Sequence, residues 1–513
     1  MDETEESHGH WDPFGHPLFD GPEARALSRV GVVDIGSNSV RMVVFDGAAR
    51  SPAYYFNEKI LCGLGDGMDT SGHLSPEGRV RALEAMKRFR LMAEGMRLSG
   101  LTVVATAAMR DAEDGPAFRR QIEDETGLTV HVIDGAEEAR LSAQGVLLGW
   151  PGSYGLVCDI GGSSMELAEI GRGRVGRRMT SALGPLKLKD LDGGKKARDK
   201  HIRKEIDALT DYMGTQRDRL FLVGGSWRAI ARIDMLRREY PLRVLHEYRM
   251  DASTVAETVA FIEAQPDHEV LRKAAGVSST RMALVPFAAE VLQQIVASFQ
   301  PSDIAISSYG IREGLLYEQM PHVLRDRDPL IEACRFAEAK DARLPGFGRQ
   351  LYDFVLPLFP DASEGRRRLI HAACLLHDVS WRAHPDYRAE TCFDNATRAN
   401  LGGLKHWERV YLGLSLLHRY KNKREGTRFE DLYNLLDEAH RREAEVLGKA
   451  MRFGAMLWTL ESSAGHARFD WDGKRLVLRL EPDMIDLYGE VARARFKSLA
   501  QAMGAQEFEV VSG

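Results

Sequence analysis

The sequence predicts two α/β lobes followed by a mostly helical region, and three observations support this fold class. First, the motif Asp-Ile-Gly ends a hydrophobic run twice, in VVDIGSNSV and in VCDIGGSSM. Second, segments typical of strands and of helices alternate over roughly the first 320 residues. Third, strand signals nearly vanish after about residue 325. The repeated motif indicates that each lobe opens with the same hairpin.

The first lobe, expected over residues 28–148, alternates strands with helices. Ser75 and Pro76 are typical of the N-cap and first turn of a helix. Arg110 is expected at the end of a buried strand. The predicted elements are a hairpin (30–46), a helix (75–96), a strand (101–110), a helix (117–127) and a strand (128–134).

The second lobe, expected over residues 149–325, restarts the pattern. Its predicted elements are three strands within 154–183, a strand, glycine turn and helix (219–233), one long helix (279–299), and a strand, turn and helix (303–320). Beyond it we expect a helical domain (326–430) and a C-terminal region (431–513). The latter contains an Asp-Gly hairpin within 467–490. Residues 1–27 are acidic and polar, and are expected to form a disordered or loosely docked tail.

Composition excludes several classes of protein. The net charge of −6 is not that of a general polyanion-binding protein, and no DNA partner is expected. No apolar run reaches the roughly 20 residues that span a bilayer, and the N-terminus does not resemble a signal peptide. Five scattered cysteines without a Cys-x-x-Cys motif indicate reduced thiols. The sequence therefore predicts a cytoplasmic protein.

The two Asp-Ile-Gly turns carry the chemistry expected of a phosphate site. Glycine lets the backbone approach a ligand, successive N–H groups and hydroxyls bind phosphate oxygens, and a strand-end aspartate reaches Mg²⁺ directly or through water. One such turn alone is more often a plain hairpin, but two copies at the heads of two lobes favour a ligand site. The copies differ in charge at one position, where Arg41 matches Glu166.

Other candidate residues lie between and after these turns. Glu137 and Glu138 begin a helix, where acidic residues are also common because they suit the helix dipole. The turn VGGSWRA, which contains Gly225, is either a structural turn or an anion-binding helix start. The segment 171–204 has twelve Lys or Arg against three Asp. It is either a solvated surface or a patch that concentrates an anion.

Some motif matches fail on context. GRGRVG (171–176) is expected to be followed by a strand, not the helix that a dinucleotide fingerprint needs, and no P-loop motif occurs. His377–Asp378 matches the pair found in HD-type phosphohydrolases, with His371 and His384 nearby. No upstream histidine lies between His322 and His371. A histidine satisfied within a helical bundle is therefore favoured over a metal site.

Together these segments resemble the exopolyphosphatase/guanosine pentaphosphate phosphohydrolase (Ppx/GppA) family of the sugar kinase–Hsp70–actin superfamily. The matching stretches come in family order: VVDIGSNSVRMVV, TAAMRDAED, VIDGAEEARLSAQGV, VCDIGGSSMELAEI, ALGPLKL, VGGSWRAIARI and SSYGIREGLLYE. The segment LLHDVSWRAHPDYRAE resembles the helical C-terminal domain of longer members. The resemblance implies two ribonuclease-H-like (actin-like ATPase) lobes with the active site in the cleft between them, followed by an HD-like helical domain.

The resemblance also implies roles for particular residues. Glu138 matches the family's proposed general base, and Arg110 matches a phosphate-binding arginine. The acidic residues of the second turn, Asp159 and Glu166, match those linked to Mg²⁺ and the attacking water, with Asp34 as a further metal ligand. The phosphate-binding set comprises Ser37, Asn38, Ser39, Arg41, Gly161, Gly162, Ser163, Ser164, Lys187 and Gly225. Ser163 and Met165 stand where the family usually has Gly and Thr, and Pro185 and Lys187 where it usually has Ala and Arg.

The function expected from the resemblance is an exopolyphosphatase that releases orthophosphate from the end of inorganic polyphosphate. The expected cofactor is Mg²⁺, with another divalent or a monovalent cation as alternatives. The nearest alternative is a hydrolase of pppGpp. In this family (p)ppGpp is expected to be either a substrate or an inhibitor. A kinase or chaperone ATPase and a non-catalytic polyphosphate or alarmone sensor are further alternatives. The family suggests a homodimer.

Overall fold

The computed structural model describes residues 29–46, 50–215, 219–265, 267–320, 322–457 and 467–512. The predicted acidic tail therefore lies outside the described residues. The chain divides into two compact units, Met1–Arg327 and Asp328–Gly513. No helix within the described ranges is long and apolar enough to cross a membrane.

The first sheet follows the order β3-β2-β1-β4-β5. β1 pairs antiparallel with β2 and parallel with β4, so the hairpin occupies one side of the sheet and strands that follow helices occupy the other. Near-continuous apolar runs in β1 and β4 fit strands buried on both faces. The strands are β1 (Val30–Ile35), β2 (Ser39–Phe45), β3 (Tyr54–Leu61), β4 (Gly100–Ala105) and β5 (Val130–Val132).

The second sheet follows the order β10-β11-β9-β6-β7-β8. β6 pairs antiparallel with β7 and parallel with β9, which repeats the arrangement around β1. The predicted duplication of the hairpin is therefore a duplication of sheet topology. The strands are β6 (Gly155–Ile160), β7 (Met165–Gly171), β8 (Arg174–Ser181), β9 (Arg219–Val223), β10 (Arg249–Met250) and β11 (Asp303–Ile306).

Helices cover both sheets and bury three apolar clusters against them. Ser75 caps α2 as predicted, since its hydroxyl accepts a hydrogen bond from the Gly78 amide at 3.1 Å. The helices of this unit are α1 (Met68–Ser71), α2 (Pro76–Gly95), α3 (Ala107–Asp111), α4 (Gly115–Thr126), α5 (Gly135–Gly149), α6 (Pro185–Lys189), α7 (Gly194–Met213), α8 (Gly225–Arg237), α9 (Ala252–Ala264), α10 (His268–Ala275), α11 (Ser279–Met282), α12 (Val285–Phe299), α13 (Ile311–Gln319) and α14 (His322–Arg325).

Two predicted elements of this unit are wrong. The strand expected over 101–110 ends at Ala105, and Arg110 lies on the short helix α3 instead. The single helix expected over 279–299 is two helices, α11 and α12, that meet at Ala283 and Leu284. Pro286 lies in the first turn of α12, where its missing N–H costs nothing, and it cannot continue a preceding helix.

The second unit is mostly helical, as the sequence predicts. The predicted Asp-Gly hairpin is present as β12 and β13, and β14 adds to β13 in parallel. The elements are α15 (Pro329–Asp341), α16 (Phe347–Val355), α17 (Glu364–Leu376), α18 (Arg388–Arg398), α19 (His406–His418), α20 (Glu430–Tyr433), α21 (Glu438–Leu457), β12 (Ala467–Trp471), β13 (Arg475–Leu480), α22 (Glu490–Met503) and β14 (Glu507–Ser512).

Candidate active site

The two hairpin turns meet at one cavity of about 210 Å³ between the lobes. Each turn is closed by the same hydrogen bond. The Gly36 amide donates to the Ser39 carbonyl, and the Gly161 amide donates to the Ser164 carbonyl, both at 3.0 Å. Turn residues line the cavity from both sides: Gly36, Ser37, Asn38, Ser39, Gly161, Gly162, Ser163 and Ser164. The structure therefore brings the two predicted phosphate loops together.

Three carboxylates line the same cavity: Asp34, Asp159 and Glu138. Asp34 and Asp159 end the equivalent strands β1 and β6, and Glu138 lies in the first turn of α5. Burial raises the pKa of Asp34, while Arg312 and Arg41 act in the opposite direction. Burial also raises the pKa of Asp159. The Ser142 hydroxyl acts to lower that pKa, because it donates a hydrogen bond to Oδ2 of Asp159.

Glu138 and Glu166 form a buried acidic pair. Their side chains are 7% and 1% exposed. Oε2 of Glu138 meets no described residue in hydrogen-bonding geometry. A hydrogen bond from the Ser164 side chain acts to lower the pKa of Glu166. Burial raises the pKa of Glu166 to about 8, and burial together with the charges of Glu166 and Asp159 raises that of Glu138 well above its ordinary value. Glu166 does not itself line the cavity but lies behind it.

The departures of the second turn from the family pattern are accommodated. In the described residues, non-glycine positive φ angles occur at Arg97, Arg172, Glu239, Glu247 and Gln300. Ser163 is not one of them, so its backbone conformation does not require glycine. Met165 is fully buried in the apolar cluster beneath the second sheet. Its side chain lies away from the cavity, so the lost threonine hydroxyl leaves no gap there.

Four cations surround the carboxylates: Lys59, Arg228, Arg281 and Arg312. None of the sequence motifs pointed to these four residues. Lys59 lies on β3, Arg228 on α8, and Arg281 and Arg312 in the first turns of α11 and α13. Burial lowers the pKa of Arg228, and the charges of Arg312 and Arg281 lower it further. Nη1 of Arg312 is buried and donates to no described residue.

A second cavity of about 410 Å³ adjoins the first and shares four lining residues with it: Gly225, Arg228, Arg281 and Arg312. Arg41 and Arg232 add two more guanidinium groups there. Burial lowers the pKa of Arg41 to about 10, with Arg312 and Arg228 contributing. Five arginines in one cavity favour an anionic ligand over a neutral or cationic one.

Gly225 is the predicted residue that joins the two cavities. A Cβ atom at this position would lie 2.3 Å from Nη2 of Arg281. Glycine therefore leaves the space that the Arg281 guanidinium occupies. The close approach of Arg281 explains why residue 225 is glycine. A positive φ does not explain it, because the positive φ of this turn belongs to Gly224 (115°).

Other predicted residues lie outside the cavity. Arg110 donates to Asp111 at 2.8 and 3.2 Å and to the Ile133 carbonyl at 3.3 Å, and it affects Glu138 only through its charge. Lys187 is exposed and lines neither cavity.

The basic segment 171–204 is partly neutralised by ion pairs. Arg177 pairs with Glu169 at 3.2 Å and Arg198 with Glu290 at 3.0 Å. The cationic lining of the site therefore comes from other parts of the chain.

The carboxylates of the cavity fit a Mg²⁺ ion that has only one or two protein ligands. The described residues contain no group of three or more His, Cys, Asp or Glu side chains placed to hold one ion. Mg²⁺ usually takes one or two protein carboxylates and completes its shell with water and substrate phosphate oxygens. Asp34 and Asp159 provide such carboxylates on opposite sides of the cavity. The donor set therefore fits an ion shared with a phosphate substrate.

His377 and Asp378 of the helical unit both have hydrogen-bonding partners within the protein. Nδ1 of His377 lies 2.7 Å from the Cys374 carbonyl, and the Asp378 carboxylate accepts hydrogen bonds from Arg343 at 2.6 and 2.8 Å. The ring centroids of His371 and Tyr352 lie 4.6 Å apart with the rings tilted by 31°, and His384 is exposed.

The duplicated lobes and a cavity lined by carboxylates and arginines define a protein of the actin-like fold that handles phosphate groups. The chain belongs to the Ppx/GppA phosphatase family, whose model matches residues 43–323. The model of the C-terminal region of exopolyphosphatases matches residues 339–510.

The chain is also similar to two curated proteins and to one solved structure. Retrograde regulation protein 2 of Saccharomyces cerevisiae is 24% identical over 439 residues, which cover 78% of this chain and 74% of that protein. Exopolyphosphatase 2 of Mycobacterium tuberculosis is 32% identical over 174 residues, which cover 32% of this chain and 54% of that protein. The crystal structure of an exopolyphosphatase from Cytophaga hutchinsonii superposes with a TM-score of 0.51 at 23% identity, over 56% of this chain and 97% of that one. The structural likeness supports the fold.

Proposed function

We propose that this protein is an exopolyphosphatase that hydrolyses the terminal phosphoanhydride of inorganic polyphosphate and releases orthophosphate. The observation that carries the proposal is the position of Glu138. This buried carboxylate lines a cavity shared by two phosphate-type loops and four cations. Phosphoanhydride hydrolysis needs a positioned water and neutralised phosphate charge more than it needs covalent chemistry. The cavity has residues suited to both.

Glu138 is the general base of this proposal. Its carboxylate takes a proton from a water aligned with the terminal phosphorus. Burial and the neighbouring acids raise the pKa of Glu138 and so favour its protonated form, which cannot act as a base. Positive charge lowers that pKa, as the Arg110 guanidinium already does in part. A divalent cation held by Asp34 and Asp159 would lower the pKa of Glu138 further and favour the ionised base.

The remaining residues bind and orient the phosphate groups. The loop amides and hydroxyls of residues 36–39 and 161–164 bind the terminal phosphate, with Lys59, Arg228 and Arg312 nearby. Asp34 and Asp159 would hold Mg²⁺, which neutralises phosphate charge when bound. Arg41, Arg232 and Arg281 line the adjoining cavity, which would take the next phosphates of the chain.

A regulatory role is the second candidate. The match that covers 78% of this chain is to a protein named for retrograde regulation. A sensor would use the same cations to bind a polyphosphate or (p)ppGpp without turning it over. Retention of Glu138 beside Asp34 and Asp159 favours catalysis instead.

Substrate preference can be measured directly. Phosphate release is followed from long polyphosphate, pppGpp and ATP with Mg²⁺, and binding of each is followed in parallel. We expect the highest kcat/KM for long polyphosphate. A higher value for pppGpp would reassign the substrate, and binding of polyphosphate without release of phosphate would establish the regulatory role.

A further inference from the structure

Ser142 is a fully buried polar residue of α5 that the proposed hydrolysis does not use. It lies four residues after Glu138, so the two side chains share one face of the helix. Its hydroxyl donates a hydrogen bond to Oδ2 of Asp159, near the end of β6. One hydrogen bond therefore joins the helix of the proposed general base to a proposed ligand of Mg²⁺.

The hydrogen bond of Ser142 differs from that of a comparable buried serine. A serine hydroxyl has one hydrogen to donate, and within a helix that hydrogen commonly goes to a carbonyl of the preceding turn. Ser415 of α19, also fully buried, follows this pattern, since its hydroxyl donates to the Tyr411 carbonyl at 2.9 Å. Ser142 directs its hydrogen to another element instead. Its hydroxyl therefore restrains the side chain of Asp159.

The two carboxylate oxygens of Asp159 have different surroundings. A Cβ on Gly310 would lie 4.0 Å from Oδ2, and a Cβ on Gly224 would lie 3.2 Å from Oδ1. Glycine at both positions leaves the carboxylate room to rotate about χ2, which is a soft torsion in aspartate. Arg228 acts on Asp159 through its charge. The hydrogen bond from Ser142 adds a direction to this attraction, because it engages Oδ2 and leaves Oδ1 for another ligand.

We propose that Ser142 is a positioning residue that makes Asp159 a one-oxygen ligand, and that it thereby favours Mg²⁺ over Ca²⁺ at this site. Mg²⁺ is small and demands a near-octahedral shell, whereas Ca²⁺ takes more oxygens and binds carboxylates through one oxygen or both. A carboxylate with one oxygen committed to a hydroxyl suits Mg²⁺ better. This inference rests on the proposed role of Asp159 as a ligand of Mg²⁺.

Competition between ions tests this selectivity without turnover. Mn²⁺, whose EPR signal falls when the ion binds, is titrated into the full chain without substrate, and Mg²⁺ or Ca²⁺ is then added to displace it. In the wild type we expect Mg²⁺ to displace Mn²⁺ at a lower concentration than Ca²⁺ does. Ser142→Ala is expected to lower this preference for Mg²⁺ by about threefold or more. Asp159→Asn is expected to weaken Mn²⁺ binding itself.

Two further variants separate positioning from a structural role. Ser415→Ala removes an equally buried serine hydroxyl from a helix of the other unit and should keep the wild-type ratio of the two affinities. Ser142→Cys nearly keeps the size of the side chain but donates only weakly, so its ratio should lie between those of the wild type and Ser142→Ala. It replaces Ser142→Ala if the latter does not fold. An unchanged ratio in the Ser142 variants, including an equal loss of affinity for both ions, would overturn the proposal. Undiminished Mn²⁺ binding by Asp159→Asn would overturn it as well.

Phosphate release from polyphosphate, measured on the wild type, distinguishes failure of this inference from failure of the proposed function. Hydrolysis by the wild type together with an unchanged ratio in Ser142→Ala would refute the role of Ser142 alone. A shifted ratio in Ser142→Ala without hydrolysis by the wild type would support the role of Ser142 and refute the proposed activity.

Discussion

The two aspartates of the duplicated hairpins have cross-strand partners of opposite charge to each other, a cation in one hairpin and a carboxylate in the other. Arg41 is the cross-strand partner of Asp34, and Glu166 is the partner of Asp159. Arg41 lines the cationic cavity, whereas Glu166 is buried beside Glu138. The two copies of one turn therefore differ in charge: the first adds a cation to the arginine-lined cavity, and the second adds a carboxylate to the acidic group behind the site.

Ser163 provides a prediction at the scale of one residue. Because its backbone is outside the left-handed region, Ser163→Gly should leave hydrolysis nearly unchanged. It should lower stability by up to about 1 kcal/mol, since glycine gains freedom in the unfolded chain. Phosphate release and urea unfolding measure both effects.

The comparison for Ser163→Gly is Gly224→Ala. Gly224 has a φ of 115°, and a Cβ there would lie 2.6 Å from the Ile160 carbonyl. We expect this change to impair hydrolysis severely. A large loss of activity in Ser163→Gly would show that the turn needs a conformation that serine cannot adopt.

At the scale of elements, α5 and α13 fix the geometry of the site. α5 carries Glu138, and the first turn of α13 carries Arg312. Glu313 on the same turn accepts hydrogen bonds from the Tyr54 hydroxyl and the Gly310 amide, each at 2.8 Å. A Cβ on Gly314 would lie 1.8 Å from the Leu141 carbonyl, so the helices pack backbone against backbone.

Gly314→Ala should therefore separate the two helices. We expect a loss of about 3 kcal/mol or more in stability, because the obstructing atom is backbone and cannot rotate away. Calorimetric unfolding and the KM for polyphosphate measure the change. The matched control is Gly95→Ala in α2, which has open space around it and should be neutral or stabilising by up to about 1 kcal/mol. Equal stability of the two variants would contradict this packing.

Some secondary-structure elements could be predicted from sequence patterns and others could not. The hairpins, the alternation of strands with helices and the cap at Ser75 were predictable because hydrophobic periodicity and turn residues act locally. The pattern failed at Arg110, where an apolar run continues from β4 into α3 without a change in composition. It failed again at Ala283, where apolar spacing continues across a break between helices.

At the scale of the molecule, the cationic lining could not be predicted from spacing. Lys59, Arg228, Arg281 and Arg312 come from four separate segments that only the tertiary fold brings together. Arg228 and Arg312 lie within family-like segments, which was the available signal. No Lys or Arg of the basic segment 171–204 lines either cavity, and two of its arginines pair with Glu169 and Glu290.

The helical unit should lose stability in acid. Burial lowers the pKa of His418 from 6.5 to about 4. Between these values the unfolded chain binds a proton that the folded chain does not, so stability falls as pH drops from about 6.5 towards 4. At pH 5 the loss is on the order of 2 kcal/mol. Hydrogen exchange in α19 at pH 7.5 and 5 measures it.

Two histidine variants control this prediction. His418→Gln should flatten the pH dependence of exchange in α19, and the same substitution at the exposed His384 should leave it unchanged. An equally steep dependence in His418→Gln would assign the acid sensitivity to other groups.

The central claim is that Glu138 activates the water that attacks polyphosphate. The most direct measurement is kcat for phosphate release by Glu138→Gln. The matched control is Glu137→Gln, because Glu137 precedes it in the same helix turn but pairs with Arg140 at 2.8 Å. We predict a loss of about 10²–10⁴-fold in kcat for Glu138→Gln, with activity in Glu137→Gln close to that of the wild type. Undiminished hydrolysis in Glu138→Gln would contradict the account.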